Sequence, residues 1–299
     1  GYVERNIKQC LGDYTGLEQF EITEPDEITT TTNIAENDVV VNLNYPLDVR
    51  KGNSEGKIEK FRIYLPLNFR KIYNLATQIT LAESEINFLD YNALLLIDAF
   101  GDIDSSKLPP LSAATYKPGA PIFWVENQVQ QNIEEMFMSY VPLIQVEGTK
   151  NYNPNLGEGL GDMAASVINN MYLGFGEIEE DYSNLEVDFN YLEWWPIYLD
   201  VTPSANGLIQ PESLPLSGVP GLNIITSLFM PQKYEFAYDI AYPVLITIKD
   251  NNTLNQEGYE FKFALESNLH NNLPITEEGT LTGLDYVPST SQACNINQR

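Results

Sequence analysis

The chain alternates between stretches whose apolar side chains recur every second residue and stretches where they recur every third or fourth. The longest period-two stretch spans Tyr234 to Asn272. Phe236, Tyr238, Ile240 and Tyr242 alternate with polar positions, Pro243 interrupts, and Val244, Ile246 and Ile248 resume. Asp250, Asn251 and Asn252 open a polar connection that Gly258 closes. Tyr259, Phe261, Phe263 and Leu265 then return against Glu260, Lys262 and Glu266. Alternation on both sides of an Asn/Gly-rich connection predicts a β-hairpin. A second hairpin is predicted over Asp38–Leu65, turning at Lys51–Gly56, with Phe61, Ile63 and Leu65 on one face of the return strand. Its Asn44-Tyr45-Pro46-Leu47 resembles Ala241-Tyr242-Pro243-Val244. Proline has no amide to give a ladder, so each Tyr-Pro marks an edge or a bulge. The two hairpins are either a duplicated unit or strands of like composition that agree by chance. A further strand region, Leu185–Thr202, alternates Leu185, Val187, Phe189 and Tyr191 against Glu186, Asp188 and Asn190. It bends at Trp194-Trp195-Pro196 and continues through Ile197, Leu199 and Val201.

Helical periodicity fills the middle of the chain. Ile72, Tyr73, Ala76, Ile79 and Thr80 form a stripe from an Asn68 N-cap to about Ala82, and a second helical piece covers Phe88–Asp98. The most regular stripe is Val125, Val129, Ile133, Met136, Phe137 and Tyr140, ended by Pro142. A helix over Asp162–Leu173 turns Met163, Val167 and Met171 inward, and Tyr2–Leu11 reads as a short N-terminal helix. Gly101–Ala120, Gly148–Gly161 and the proline-rich Pro203–Pro231 read as loops, the last with a short helix near Leu222–Phe229. The expected architecture is α+β: antiparallel hairpins from both ends of the chain form the sheets, and central helices cover them. Residues 1–37 are expected as an N-terminal helix and an acidic, Thr-rich connector or edge strand. Residues 38–272 would be the main domain, and 273–299 a polar tail or linker.

Composition changes this picture in one respect, charge. In 299 residues, 42 acidic side chains stand against 16 basic ones, a net −26. That excludes nucleic acid as a partner, because phosphate binding needs a basic footprint, and it disfavours anionic lipid surfaces. No apolar run approaches the roughly 18 residues a membrane helix needs, so membrane attachment is expected only through a segment upstream of Gly1. The acidity itself fits a high-salt or external setting, calcium uptake, or simply a well-solvated surface.

Chemistry is sparse. His270 is the single histidine, which removes His-pair zinc sites and leaves few routes to a Ser-His-Asp device. No phosphate-cradling glycine motif survives: Gly157–Asp162 is glycine-rich, but Glu158 and Asp162 would repel a phosphate, and the stretch reads as a flexible turn. Calcium is the one cofactor to consider. Its candidate ligands are Asp102 and Asp104, beside Ser105 and Ser106, and Glu179 and Asp181 in the acidic cluster Glu177–Asp181. The alternative for the Asp-Ser loop is plain turn chemistry, in which the side chains cap backbone amides. Trp194 and Trp195 are candidate ligand-binding residues, since aromatic faces stack on sugars, and Glu193 beside them is the best carboxylate for a hydrolase. The alternative is a Trp-Trp-Pro bend packed into the core. Asn251-Asn252-Thr253 is a sequon in the hairpin loop. Cys10 and Cys294, near opposite ends, are either two unrelated thiols or, in an oxidising compartment, a bridge worth roughly 2–5 kcal/mol.

Several phrases taken together, NDVVVNLNYPLDVRKG, FRIYLPLNFRKIYNLATQI, FNYLEWWPIYLDV, KYEFAYDIAYPVLITI, GYEFKFALESNLHNN and CNINQR, resemble in order and spacing a family of surface proteins of small-genome (DPANN-type) archaea. The similarity spans nearly the whole chain. It implies an exported, membrane-anchored protein with one N-terminal transmembrane segment, often followed by small immunoglobulin-like repeats. It would make Tyr2–Leu11 the stub outside the anchor, and Cys10 and Cys294 match positions where members tend to carry Cys. The anchor and the repeats are not within this sequence. The resemblance implies a location and an architecture but no reaction. The expectation is therefore a non-enzymatic, extracellular cell-surface protein with a structural or adhesive role, self-associating or joined to other envelope proteins. A glycan- or peptide-binding module is the alternative, and a carboxylate hydrolase the third reading.

Overall fold

The computed structural model describes residues 1–111, 115–118, 121–159, 161–176, 180–213 and 231–272. It is α+β with antiparallel sheets, as the patterning predicts. Contacts divide the chain into two compact units. One comprises Gly1–Asn74 and Asp250–Tyr259; the other comprises Leu75–Lys249 and the described residues from Glu260. The first hairpin thus groups with the N-terminal segment and not with the later strands, because that segment supplies the strands that pair with it.

The first unit opens with α1 (Tyr2–Leu11), followed by β1 (Glu21–Thr23), β2 (Thr29–Ile34), β3 (Val39–Lys51) and β4 (Ser54–Leu65). The long strand β3 is the centre of the sheet. β4 runs along one edge, with a bulge between Asn44 and Leu47. On the other edge, β2 pairs with Val39–Asn44 and β1 with Asp48–Arg50. Pro46 falls in the gap between them, where no amide is available to extend either ladder. The bend joining β1 to β2 lies across this gap. Its Glu24 carboxylate accepts hydrogen bonds from the Tyr45 hydroxyl (2.7 Å) and the Tyr14 hydroxyl (2.8 Å), and it pairs with Lys8 on α1. The Lys8 ammonium, followed by the Tyr45 hydroxyl, lowers the Glu24 carboxyl to about 2. Leu43, Tyr45 and Leu47 are buried beneath, with Ile7, Ile22, Val49 and Phe61 packed around them.

Helix α2 (Phe69–Ile86) crosses the division between the units. Its buried stripe is Ile72, Leu75, Ala76, Ile79 and Ala82, whereas Tyr73 and Thr80, expected inside, are exposed. Before it, the Asn68 side chain donates to Asp250 (3.0 Å), and the Asn68 carbonyl accepts the Ile72 amide.

The second unit contains α3 (Phe88–Ile103), β5 (Thr115–Pro118), β6 (Trp124–Val125), α4 (Glu126–Tyr140), β7 (Gln145–Val146), α5 (Asp162–Asn169), β8 (Tyr172–Leu173), β9 (Glu186–Tyr191) and β10 (Tyr198–Thr202). It continues with β11 (Ser204–Ala205), β12 (Leu208–Ile209), β13 (Glu212–Ser213), β14 (Pro231–Tyr234) and all but the hairpin-end residues Asp250 and Tyr259 of β15 (Ala237–Asp250) and β16 (Tyr259–Leu269). The predicted hairpin is β15–β16, and β15 is the spine of the unit. Tyr238, Ile240, Tyr242, Val244, Ile246 and Ile248 are all buried. β16 occupies one edge; on the other, β10 pairs with Ala237–Ala241 and β9 with Val244–Lys249. The gap again falls at Tyr-Pro, here Tyr242-Pro243. The two sheets therefore share one plan: a long central strand, a hairpin partner on one edge, and two short strands dividing the other edge at a proline.

Some expectations change. The helix expected over Asp162–Leu173 stops at Asn169, because Tyr172–Leu173 pairs in parallel with Gln145–Val146. Short strands occupy parts of the loops expected at Gly101–Ala120 and Pro203–Pro231: β5 pairs with β14, which pairs with β13, and β6 joins β11 and β12. The helix expected near Leu222–Phe229 and the tail 273–299 lie outside the described residues. Gly157 is not loose: it is buried, and a Cβ built there would meet the Ala165 backbone at 2.8 Å. Gly157→Ala is expected to destabilise by about 1–3 kcal/mol through overpacking against α5, measured by urea unfolding.

Two carboxyls lie near the junction of α2 and α3, Asp90 buried and Glu83 half-buried. Asp90 is 3% exposed and accepts from the Ser267 hydroxyl and the Asn268 amide (2.8 Å). Glu83 accepts the Leu89 amide (3.0 Å), yet burial, with Asp90 adding repulsion, raises its carboxyl to about 7. An unfolded Glu titrates near 4.5, so between roughly pH 4.5 and 7 the folded form holds a proton the unfolded form has lost. This contribution to stability is full below pH 4.5 and is lost as pH rises through 7. Glu83→Gln is expected to raise unfolding free energy at pH 8 by on the order of 2 kcal/mol and to leave it unchanged near pH 4. Denaturant titrations at the two pH values check this.

Candidate binding site

The proline gap in the second sheet builds the most distinctive surface of that unit. β9 ends at Tyr191 and β10 begins at Tyr198, so the intervening six residues must bridge the stretch of β15 that offers no amide. The bridge is tied at its start, where the Leu192 amide donates to the Pro243 carbonyl (3.4 Å). A turn closed by the Trp195 amide donating to Leu192 (3.1 Å) follows. Ile197 is buried and anchors the far end. Trp194 is 74% exposed and Trp195 50%, their rings edge-to-face with centroids 5.8 Å apart. Tyr198, at the start of β10, is also exposed. The bend is therefore not core. The contrast with Trp124 is direct: its ring is buried against Tyr234 and Phe236, and its indole N–H donates to the Ser105 carbonyl (3.0 Å).

The end of β9 joins a packed aromatic cluster. Phe137 on α4 stacks on Tyr242 at 4.2 Å, and Tyr191 leans on both, at 6.1 and 6.3 Å. Burial, and then the nearby carboxylates of Glu134 and Glu193, raise the Tyr191 hydroxyl to about 12, so it remains a neutral donor. Glu134 is held by Gln130, whose side-chain amide donates to it (2.9 Å). Glu193 is exposed on the bend. Sequence alone marks the two tryptophans and Glu193. The pairing of β9 with β15 and the packing of α4 set Tyr191 and Glu134 near Glu193.

The remaining candidates are placed separately. Asp104 binds its own turn: one oxygen accepts the Ser106 amide (3.1 Å) and hydroxyl (2.5 Å), which lower its carboxyl below the usual range. Asp181 likewise accepts the Ser183 amide (2.9 Å). The Asp102 side chain and Glu179 lie outside the described residues. Among the described residues, no three or more His, Cys, Asp or Glu side chains are grouped to hold a metal ion. Cys10 is exposed on α1, and Cys294 lies outside the described residues. Asn251 is exposed, while Thr253 of the same sequon is buried and donates its hydroxyl to the Pro66 carbonyl. His270 is exposed, with Nδ1 3.1 Å from Asp239. Comparison with models of known protein families, with curated proteins and with solved structures returned no match.

Proposed function

We propose that this is a non-enzymatic, adhesive protein of the cell exterior whose recognition surface is the shelf of Trp194, Trp195 and Tyr198, and whose ligand is carbohydrate. The exposure of two adjacent indoles on a bend fixed by the sheet carries this reading. Fully burying a large apolar side chain is worth about 1.5–3 kcal/mol, and leaving two in water forgoes that gain, which is the mark of a surface kept for a partner. An indole face accepts the C–H face of a sugar ring, and the Tyr191, Glu134 and Glu193 oxygens suit its hydroxyls. The chain's net −26 disfavours acidic sugars, so neutral and N-acetylated glycans are the class expected. The location rests on the resemblance to exported archaeal surface proteins.

The test is binding to a panel of neutral, N-acetylated and uronate oligosaccharides, read by tryptophan fluorescence and calorimetry. Saturable binding is expected for at least one neutral or N-acetylated member. Trp194→Ala and Trp195→Ala should each weaken it by about 2 kcal/mol, roughly thirty-fold in Kd. Unfolding free energy should move by no more than about 0.5 kcal/mol, since the rings lie in water. Binding that survives both substitutions, or a panel with no binder, would remove the shelf as the site. Release of reducing ends would favour the hydrolase.

A further inference from the structure

The sheet of the first unit is polarised across its width. β4 forms one edge and, among the described residues, pairs only with β3. It is exposed along its length except at Glu59 and Phe61, which are half-buried. Ile58, Ile63, Tyr64 and Leu65 all meet solvent, and an apolar groove of about 830 Å³ lies beside the strand, walled by Leu11, Leu17, Phe20 and Ile58. Long strands with exposed apolar side chains and an open edge are templates for further pairing. In a chain of net −26, this strand is unusually basic, with Lys57, Lys60 and Arg62 against Glu55 and Glu59. The opposite edge is the reverse. Residues 21–38, which hold β1 and β2, carry Glu21, Glu24, Asp26, Glu27, Glu36 and Asp38 and no cation.

The register allows these edges to meet beyond Thr30, whose outward amide is already held by the Glu4 carboxylate of α1 (2.8 Å). β2 and β4 are both antiparallel to β3, so they run in the same direction. Ile34 lies level with Leu65 through Val39, and Thr29 lies level with Lys60 through Asn44. The bend before Thr29, with exposed Asp26 and Glu27, lies level with Lys57 and Lys60. If a second copy continues the sheet, Ile34 falls beside Leu65, and the acidic bend falls beside the lysines.

We propose that the first unit is a head-to-tail assembly module, in which the β4 edge of one copy takes the β1–β2 edge of the next. The contact uses different surfaces on its two sides, so it does not close as a two-fold dimer and adds copies head to tail, into chains or rings. A contact between two β4 edges would instead set basic strand against basic strand, and the charge pattern opposes it. The observation is independent of the tryptophan shelf, and its failure would leave the carbohydrate reading untouched.

The experiment is sedimentation velocity and light scattering on the full chain over a concentration series. Alongside the parent run two charge reversals, Lys57→Glu with Lys60→Glu, and Asp26→Lys with Glu27→Lys, each verified as folded by circular dichroism. The parent is expected to grow past dimer mass with concentration, and each reversal alone to remain monomeric. An equimolar mixture of the two should recover growth, because each reversed edge then meets its complement; a mere folding defect would not be rescued. A parent that stays monomeric, stops at a dimer, or grows equally well with either reversal would overturn the proposal.

Discussion

A proline in the middle of a long strand sets the plan of both units. Pro46 and Pro243 each remove one ladder amide from the central strand of a sheet, and in each case the pairing edge opposite the hairpin is divided there between two short strands. The tyrosine before each proline is buried and finds a partner for its hydroxyl: Tyr45 at Glu24, Tyr242 at the Leu89 carbonyl. The chain linking the two short strands must pass across the gap, and in both sheets it contains a further proline, Pro25 or Pro196. What that crossing carries differs. In the first sheet it is an acidic bend whose Glu24 pins the N-terminal helix; in the second it is the Trp-Trp bend.

In the second unit Phe137 from α4 stacks on Tyr242, while the bend beside the gap leaves the Trp194 and Trp195 rings in solvent. In the first unit α1 packs Ile7 against the cluster that holds Tyr45, and the Tyr45 hydroxyl is met by Glu24 and Tyr14. The same backbone device therefore gives a charged clasp in one unit and an exposed aromatic shelf in the other.

The two units also differ in how far they are covered. The buried spine of β15 lies under helices and a hairpin partner, whereas the sheet built on β3 has a small buried cluster and leaves β4 largely in water. Charge follows the same division, since the chain's sparse cations cluster in the β3–β4 hairpin at Arg50, Lys51, Lys57, Lys60 and Arg62. A recognition surface and an assembly surface on separate units would let each act without the other.

Period-two and period-3.6 patterning by themselves determined the hairpins β3–β4 and β15–β16 and helices α1 to α4, because these depend on neighbours in sequence; each Tyr-Pro was legible only as an edge or a bulge, and both prolines lie in central strands, with a bulge beside Pro46. The stretches that went astray are those whose partners are distant. Tyr172 and Leu173 read as helix but pair with Gln145 and Val146; Ser204–Ile209 reads as loop but pairs with Trp124 and Val125. A run of two residues has no period to detect, and only a partner strand makes it β. Whether Trp194 and Trp195 lie inside or out was likewise undecidable from their own positions: an alternating strand on either side fits both. Only the tertiary structure decides it: β9 and β10 pair with β15 on either side of Tyr242-Pro243, and the bend that joins them carries both rings into solvent.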